Sequence, residues 1–120
     1  MSLTVIIVSY KSDTRIIRCL KSIDTRHQKL IIETSQDKDL QIKLEKKFKK
    51  IKVILTQNIG YGAAMNIGVK IANTKYVLMT TPDIILKKNT LSNLINTAKK
   101  LKDNFLFLSP VSKKYKKKSI

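Results

Sequence analysis

The chain has one cysteine, Cys19, and one histidine, His27, so it has neither an internal disulfide framework nor a Cys/His zinc cluster. Cys19 falls on an apolar helix face and reads as a buried structural thiol. His27 sits in the polar stretch Thr25-Arg26-His27-Gln28 and reads as solvent-exposed. No apolar run approaches the ~20 residues that cross a bilayer. No charged amino-terminal segment precedes a long apolar stretch, so no signal peptide is visible. A cytoplasmic protein is expected, peripheral at the inner face of the membrane. There is no Ser/His/Asp arrangement, no G-x-x-x-x-G-K-[ST] loop and no G-x-G-x-x-G after the first apolar run. Those absences argue against a hydrolase, a P-loop NTPase and a dinucleotide oxidoreductase. No acid pair ends the first strand and no Asp ends the third, which disfavours a receiver-type domain. Acids are scarce throughout: 8 Asp+Glu stand against 25 Lys+Arg, a net charge of +17. That balance favours anionic partners such as nucleotides, nucleic acid or an anionic membrane surface. The lysines are spread along the chain, and no aromatic-interleaved basic platform is visible.

What is present suits a globular fold. At 120 residues and 42% hydrophobic, the chain is long enough for one domain with its own core. Residues 3–10 (LTVIIVSY) are apolar and β-branched, the pattern of a strand buried on both faces. Ser12 or Asp13 can cap the helix that follows, whose Ile16, Ile17, Leu20 and Ile23 form one stripe. Leu30–Thr34 reads as a second strand. A lysine-rich amphipathic helix follows over 37–50, with Leu40, Leu44 and Phe48 on one side. Lys52–Thr56 is a third strand, Ala63–Ala72 a helix and Tyr76–Thr80 a fourth strand. Asn89 or Thr90 opens a further helix carrying Leu91, Leu94, Ile95, Ala98 and Leu101. Phe105–Leu108 is a last strand before Ser109-Pro110. This alternation predicts an α/β, Rossmann-like fold: a mainly parallel sheet with helices on both faces. The domain is expected over 1–111, with a lysine-rich tail over 112–120.

The stretch from Asn58 to Asp83 carries the chemistry. Asn58-Ile59-Gly60-Tyr61-Gly62 places two glycines where backbone can approach a ligand or adopt φ > 0. Ala63 and Ala64 keep the next helical turn small enough to press on a sheet. Thr81-Pro82-Asp83 follows the strand 76–80, which puts Asp83 beyond its carboxyl end, where open α/β sheets bind ligands. A carboxylate beside glycine turns in a basic chain points to a metal-bound phosphate compound.

These motifs resemble those of the family 2 glycosyltransferases, nucleotide-sugar enzymes of the GT-A fold, with a rhamnosyltransferase-like pattern. The matching residues are Asn58, Gly60, Tyr61, Gly62, Ala64, Asn66, Gly68, Val69 and Ala72, then the apolar strand and Thr81-Pro82-Asp83. The opening strand, usually ending [VT]-[ST]-Y-N, is matched up to Tyr10, and Cys19-Leu20-Lys21-Ser22-Ile23 resembles the family's C-L-x-S-[IL] helix. The resemblance covers about residues 3 to 111, the nucleotide-binding half. It implies that Asp83 binds Mn²⁺ or Mg²⁺ through the donor's diphosphate, with Thr81 where many members carry a first acid. It implies that Glu33, where the family usually has Asp, hydrogen-bonds the nucleobase, and a carboxylate can accept from an imide N–H. Tyr10 is expected to stack on that base. Asn58, Gly60 and Gly62 would wall the nucleotide, and Asn66 would fix that loop or reach the ligand. Arg15 and Arg18 read as solvated, with no site role.

The implied activity is transfer of a sugar from a nucleoside diphosphate sugar to a saccharide or lipid-linked acceptor, as in cell-wall or polysaccharide biosynthesis. No Asp or Glu follows Pro110, so the acceptor-side general base of inverting members is expected to be absent or to come from another chain. An apolar sheet edge is then expected to be covered by a second copy or a partner chain. Two other readings stand beside this one. The first is a non-catalytic module of the same fold that binds a nucleotide or a partner. The second is a basic nucleic-acid or membrane-surface module.

Overall fold

The computed structural model describes residues 3–102 and 104. Eight elements follow in order: β1 (Leu3–Ser9), α1 (Asp13–Lys21), β2 (Gln28–Glu33), α2 (Lys38–Lys47), β3 (Ile51–Leu55), α3 (Tyr61–Ile71), β4 (Tyr76–Thr80) and α4 (Thr90–Lys100). The first compact unit runs to Leu86 and holds the sheet with α1 to α3. The second begins at Lys87, and its described part is α4, opened by Asn89 in the left-handed region (φ 71°). The expected strand Phe105–Leu108 and the lysine tail lie outside the described residues.

All four strands are parallel, in the order β3-β2-β1-β4. With that order, connection handedness decides the face on which each helix lies. The steps β1 to β2 and β2 to β3 move one way across the sheet, so right-handed crossovers place α1 and α2 on one face. The step from β3 to β4 goes back past β2 and β1, which places α3 on the other. The α/β fold with helices on both faces is thus present, with β1 and β2 as the central strands among those described.

Both faces of the centre are sealed. In β1, Val5, Ile6 and Ile7 are all fully buried, as the continuous apolar run requires. On the α3 face, Ile6, Leu30 and Ile32 pack with Ala64 and Met65. Gly68 lets α3 approach closely, because a Cβ there would lie 2.5 Å from Ile6 Cγ2. On the other face, Ile16, Cys19 and Leu20 of α1 and Leu40 and Leu44 of α2 are buried. α2 is also pinned to β3: Gln41 Nε2 donates to the Val53 carbonyl at 2.8 Å, and the Val53 N–H donates to Glu45 at 2.9 Å.

Three expectations are corrected here. β2 begins at Gln28, two residues early, because Lys29 pairs with both Val5 and Ile51 and is buried in the central strand. Its Nζ is satisfied by the His27 carbonyl at 2.8 Å. His27 is therefore drawn in with the strand and is only 8% exposed, not a solvated linker residue. Its pKa is lowered, chiefly by burial. Phe48 does not extend the α2 stripe. It is the C-cap, in extended conformation, and Lys50 turns left-handed (φ 55°) to lead into β3.

Candidate functional site

The four strands deliver their following loops to one end of the sheet. A cavity of about 310 Å³ opens there, lined by residues from all four exits. Val8, Tyr10, Ser12 and Arg15 come from β1 and the start of α1, and Thr34 comes from the end of β2. Asn58, Gly60 and Tyr61 come from the turn after β3, and Pro82 and Asp83 from the turn after β4. β1 and β4 are neighbours where the strand order reverses, and the crevice outside the carboxyl ends at such a point is the usual ligand position in such sheets.

Local chemistry explains each wall. β1 ends in a turn at Lys11, which takes a left-handed φ of 48°. The hydroxyls of Ser9 and Ser12 share a 2.5 Å hydrogen bond across that turn. Tyr10 is 49% exposed at the cavity, with Lys11 Nζ 5.3 Å from its ring centroid. After β3, Gly60 is the N-cap of α3 at φ 92° and ψ 155°, a conformation that side chains rarely adopt. No atom lies within 4 Å of where its Cβ would be, so conformation and not space demands glycine there. Ser12 and Gly60 are the N-caps of α1 and α3, so both helices open on the cavity with their positive dipole ends. No acid occupies the first turn of α3.

Asp83 is exposed at the rim. The Thr81 hydroxyl donates to its Oδ1 at 2.6 Å. That bond first, then a backbone N–H and the Arg15 charge, hold the carboxyl below its ordinary range, so it is ionised at neutral pH. Beneath it, Cys19 Sγ donates to the Thr81 carbonyl at 3.7 Å. Burial, with the Asp83 charge, pushes the thiol up to about 11. Cys19 is thus a protonated structural donor and not a nucleophile.

Of the residues singled out in the sequence, Tyr10, Asn58, Gly60 and Asp83 meet in the lining, and Thr81 touches it through Asp83. Gly62 and Asn66 lie exposed on the first turns of α3, outside the lining. Glu33 is fully buried and also outside it. Its carboxylate accepts from the Ser35 N–H at 2.9 Å, the Ser35 hydroxyl at 2.8 Å and the Asp37 N–H at 3.0 Å. Ser35 Oγ in turn accepts from the Lys11 N–H at 3.4 Å. Glu33 therefore ties the loop after β2 to the turn that carries Tyr10. Asp37 then caps α2, accepting from the Leu40 N–H at 3.0 Å.

The sequence reading missed Ser12, Arg15, Thr34 and Tyr61. The signal for Arg15 was its place in the first turn of the helix after β1, one turn on from Lys11. For metal, the donor set is thin: among the described residues no cluster of three or more His, Cys, Asp or Glu could hold an ion. A single exposed carboxylate still fits Mg²⁺ or Mn²⁺ when phosphate oxygens complete the shell. Among the described residues, no helix is long and apolar enough to cross a membrane.

A family model described as glycosyl transferase family 2 matches residues 4–120. None of the curated proteins compared with the chain matches it. Among solved structures, residues 1–349 of S. aureus TarS share the fold with a TM-score of 0.70 and 24% identity, over 83% of this chain and 33% of that one. The same TarS region in complex with UDP-GlcNAc gives 0.71 and 24%, over 83% and 32%. Its complex with UDP gives 0.70 and 25%, over 83% and 32%. The chain thus spans about a third of the length of these structures.

Proposed function

This chain belongs to glycosyl transferase family 2, and from that premise we propose that it binds a nucleoside diphosphate sugar in the crevice and presents the sugar for transfer to a saccharide or lipid-linked acceptor. The observation that carries this reading is the meeting of Asp83 with the amino ends of α1 and α3 in one cavity. Two positive helix ends suit a diphosphate, and a carboxylate beside them suits the cation that a diphosphate brings.

In this reading Tyr10 stacks on the base with the ring face opposite Lys11. Asn58 and Gly60 border the ribose and diphosphate. Asp83 would hold Mg²⁺ or Mn²⁺, and the cation, when bound, would neutralise charge on the leaving diphosphate. Thr81 fixes the Asp83 carboxylate by its 2.6 Å hydrogen bond. Glu33 acts on the base side through the loop it anchors. The TarS structures hold UDP-GlcNAc and UDP, which favours a uridine donor. Among the described residues Asp83 is the sole acid in the lining, so the group that deprotonates the acceptor lies outside that set. The same fact favours a second reading, a donor-binding module without catalysis of its own. The +17 charge suits work in the cytoplasm at an anionic membrane surface.

Calorimetric titration of the full chain with UDP, dTDP and GDP, with and without Mn²⁺, tests the reading. UDP is expected to bind more tightly with Mn²⁺, and Asp83→Ala to remove that dependence, a loss of about tenfold to a hundredfold. Failure of all three nucleotides to bind would overturn it.

A further inference from the structure

Among the described residues that line it, the cavity holds one carboxylate and one guanidinium, and the reading above uses only the carboxylate. Arg15 lines the same cavity as Tyr10, Gly60 and Asp83. Its side chain is exposed. Among the described residues it makes one hydrogen bond, from Nη2 to the Lys11 carbonyl at a long 3.4 Å. The left-handed turn at Lys11 brings that carbonyl within reach. A guanidinium has five N–H donors in a planar fork, so most of this one's capacity is unspent. The Arg15 charge also reaches Asp83, whose carboxyl it helps to keep ionised, yet the two form no ion pair.

That arrangement answers a difficulty in the site. A lone carboxylate holds a divalent cation weakly, and among the described residues no second acid lines the cavity. Without a cation, Asp83 repels a diphosphate. The helix ends supply only about half a charge each. A full positive charge is required in the same space, and an arginine fork meets phosphate oxygens two at a time. We propose that Arg15 is the protein's own counter-charge for the diphosphate, holding it beside Asp83 whether or not a cation is bound. The inference rests on the donor-site reading and adds a phosphate-binding residue to it.

The test is a nuclear magnetic resonance titration of the isotopically labelled full chain with UDP, UMP and uridine, in EDTA and in Mg²⁺. It compares the natural chain with Arg15→Gln, Arg15→Lys and Asp83→Ala. In EDTA, Arg15→Gln is expected to weaken UDP by about tenfold, UMP by less and uridine hardly at all. Arg15→Lys restores part of the loss, because it returns the charge without the fork. Asp83→Ala should bind UDP more tightly than the natural chain in EDTA and more weakly in Mg²⁺, since the carboxylate repels bare phosphate and recruits the cation. Equal UDP binding by Arg15→Gln and the natural chain in EDTA would overturn the inference and leave the donor site standing. Equal losses for UDP and uridine would also overturn it, by showing that Arg15 acts on the fold. If the natural chain binds no UDP in either buffer, the donor-site reading fails, and this inference with it. Arg15 is exposed, so its variants are expected to keep the unfolding midpoint of the natural chain.

Discussion

The two ends of this sheet differ in a way that cavity size does not predict. The amino end carries the larger hollow, about 460 Å³, lined by Thr4, Gln28, Leu30, Lys50, Lys52 and the residues that close α3. The carboxyl end carries about 310 Å³. Yet among the described residues the larger hollow is lined by no carboxylate, and it meets α3 at its carboxyl end, where the dipole is negative. Its hydroxyls are committed: Thr4 and Thr74 lie 2.7 Å apart, and Thr74 donates to the Tyr76 carbonyl at 2.8 Å. The smaller hollow gathers two helix amino ends, an ionised carboxylate, an under-used guanidinium and a half-exposed tyrosine ring. The position of a site in a parallel sheet follows from strand direction, which sends every loop of one kind to one end, and not from volume.

Substitutions at either end of the sheet test this difference. The largest effect is expected at Glu33, under the carboxyl-end loops. Glu33→Ala leaves the Ser35 and Asp37 N–H groups without their acceptor, and about 3 kcal/mol of stability should be lost in chemical denaturation. If Glu33 were instead a base contact alone, stability would hold and only nucleotide affinity would fall. A smaller effect is expected at the amino end, at His27. Burial keeps its pKa below 6.5 in the folded protein, so the unfolded chain takes up the proton first as pH falls. Stability is full above about pH 6.5 and drops through the window beneath it. Thermal melts should fall by a few degrees across that window, and His27→Gln should reduce the slope while Asp24, Arg26, Lys29 and Lys50 remain. The smallest effect is expected for Lys52→Gln in the larger hollow: UDP affinity unchanged within about twofold. A strong loss there would relocate the ligand to the amino end.

Much of the architecture was readable because the apolar periods are unambiguous. Tyr76–Thr80 fell where expected, and β1 and β3 differed by a residue or so at their ends. Two of the misreadings, the start of β2 and the exposure of His27, share a cause: polar residues buried for reasons the linear pattern does not display. Lys29 looks like a strand's solvated flank until both neighbouring strands are known. Glu33, expected to hydrogen-bond a nucleobase, is also buried, with the Ser35 and Asp37 N–H groups folded back onto its carboxylate. At the site, the glycine turn and Asp83 announced themselves by residue type. Arg15 did not, because one arginine among 25 Lys+Arg stands out only once the topology brings it to the crevice.

The close seat of α3 on the sheet has an evolutionary consequence. Position 68 has no room for a methyl group while Ile6 keeps its Cγ2 branch 2.5 Å from where that methyl would sit. The two positions are far apart in the chain, and neither touches the cavity. In descendants of this sequence they should nevertheless mutate as a pair: a larger residue at 68 requires one at 6 that withdraws the Cγ2 methyl. A column of alanines at 68 beside unchanged isoleucines at 6 would mean that helix and sheet have drifted apart in those relatives, and that the rim set by Gly60 has moved with them.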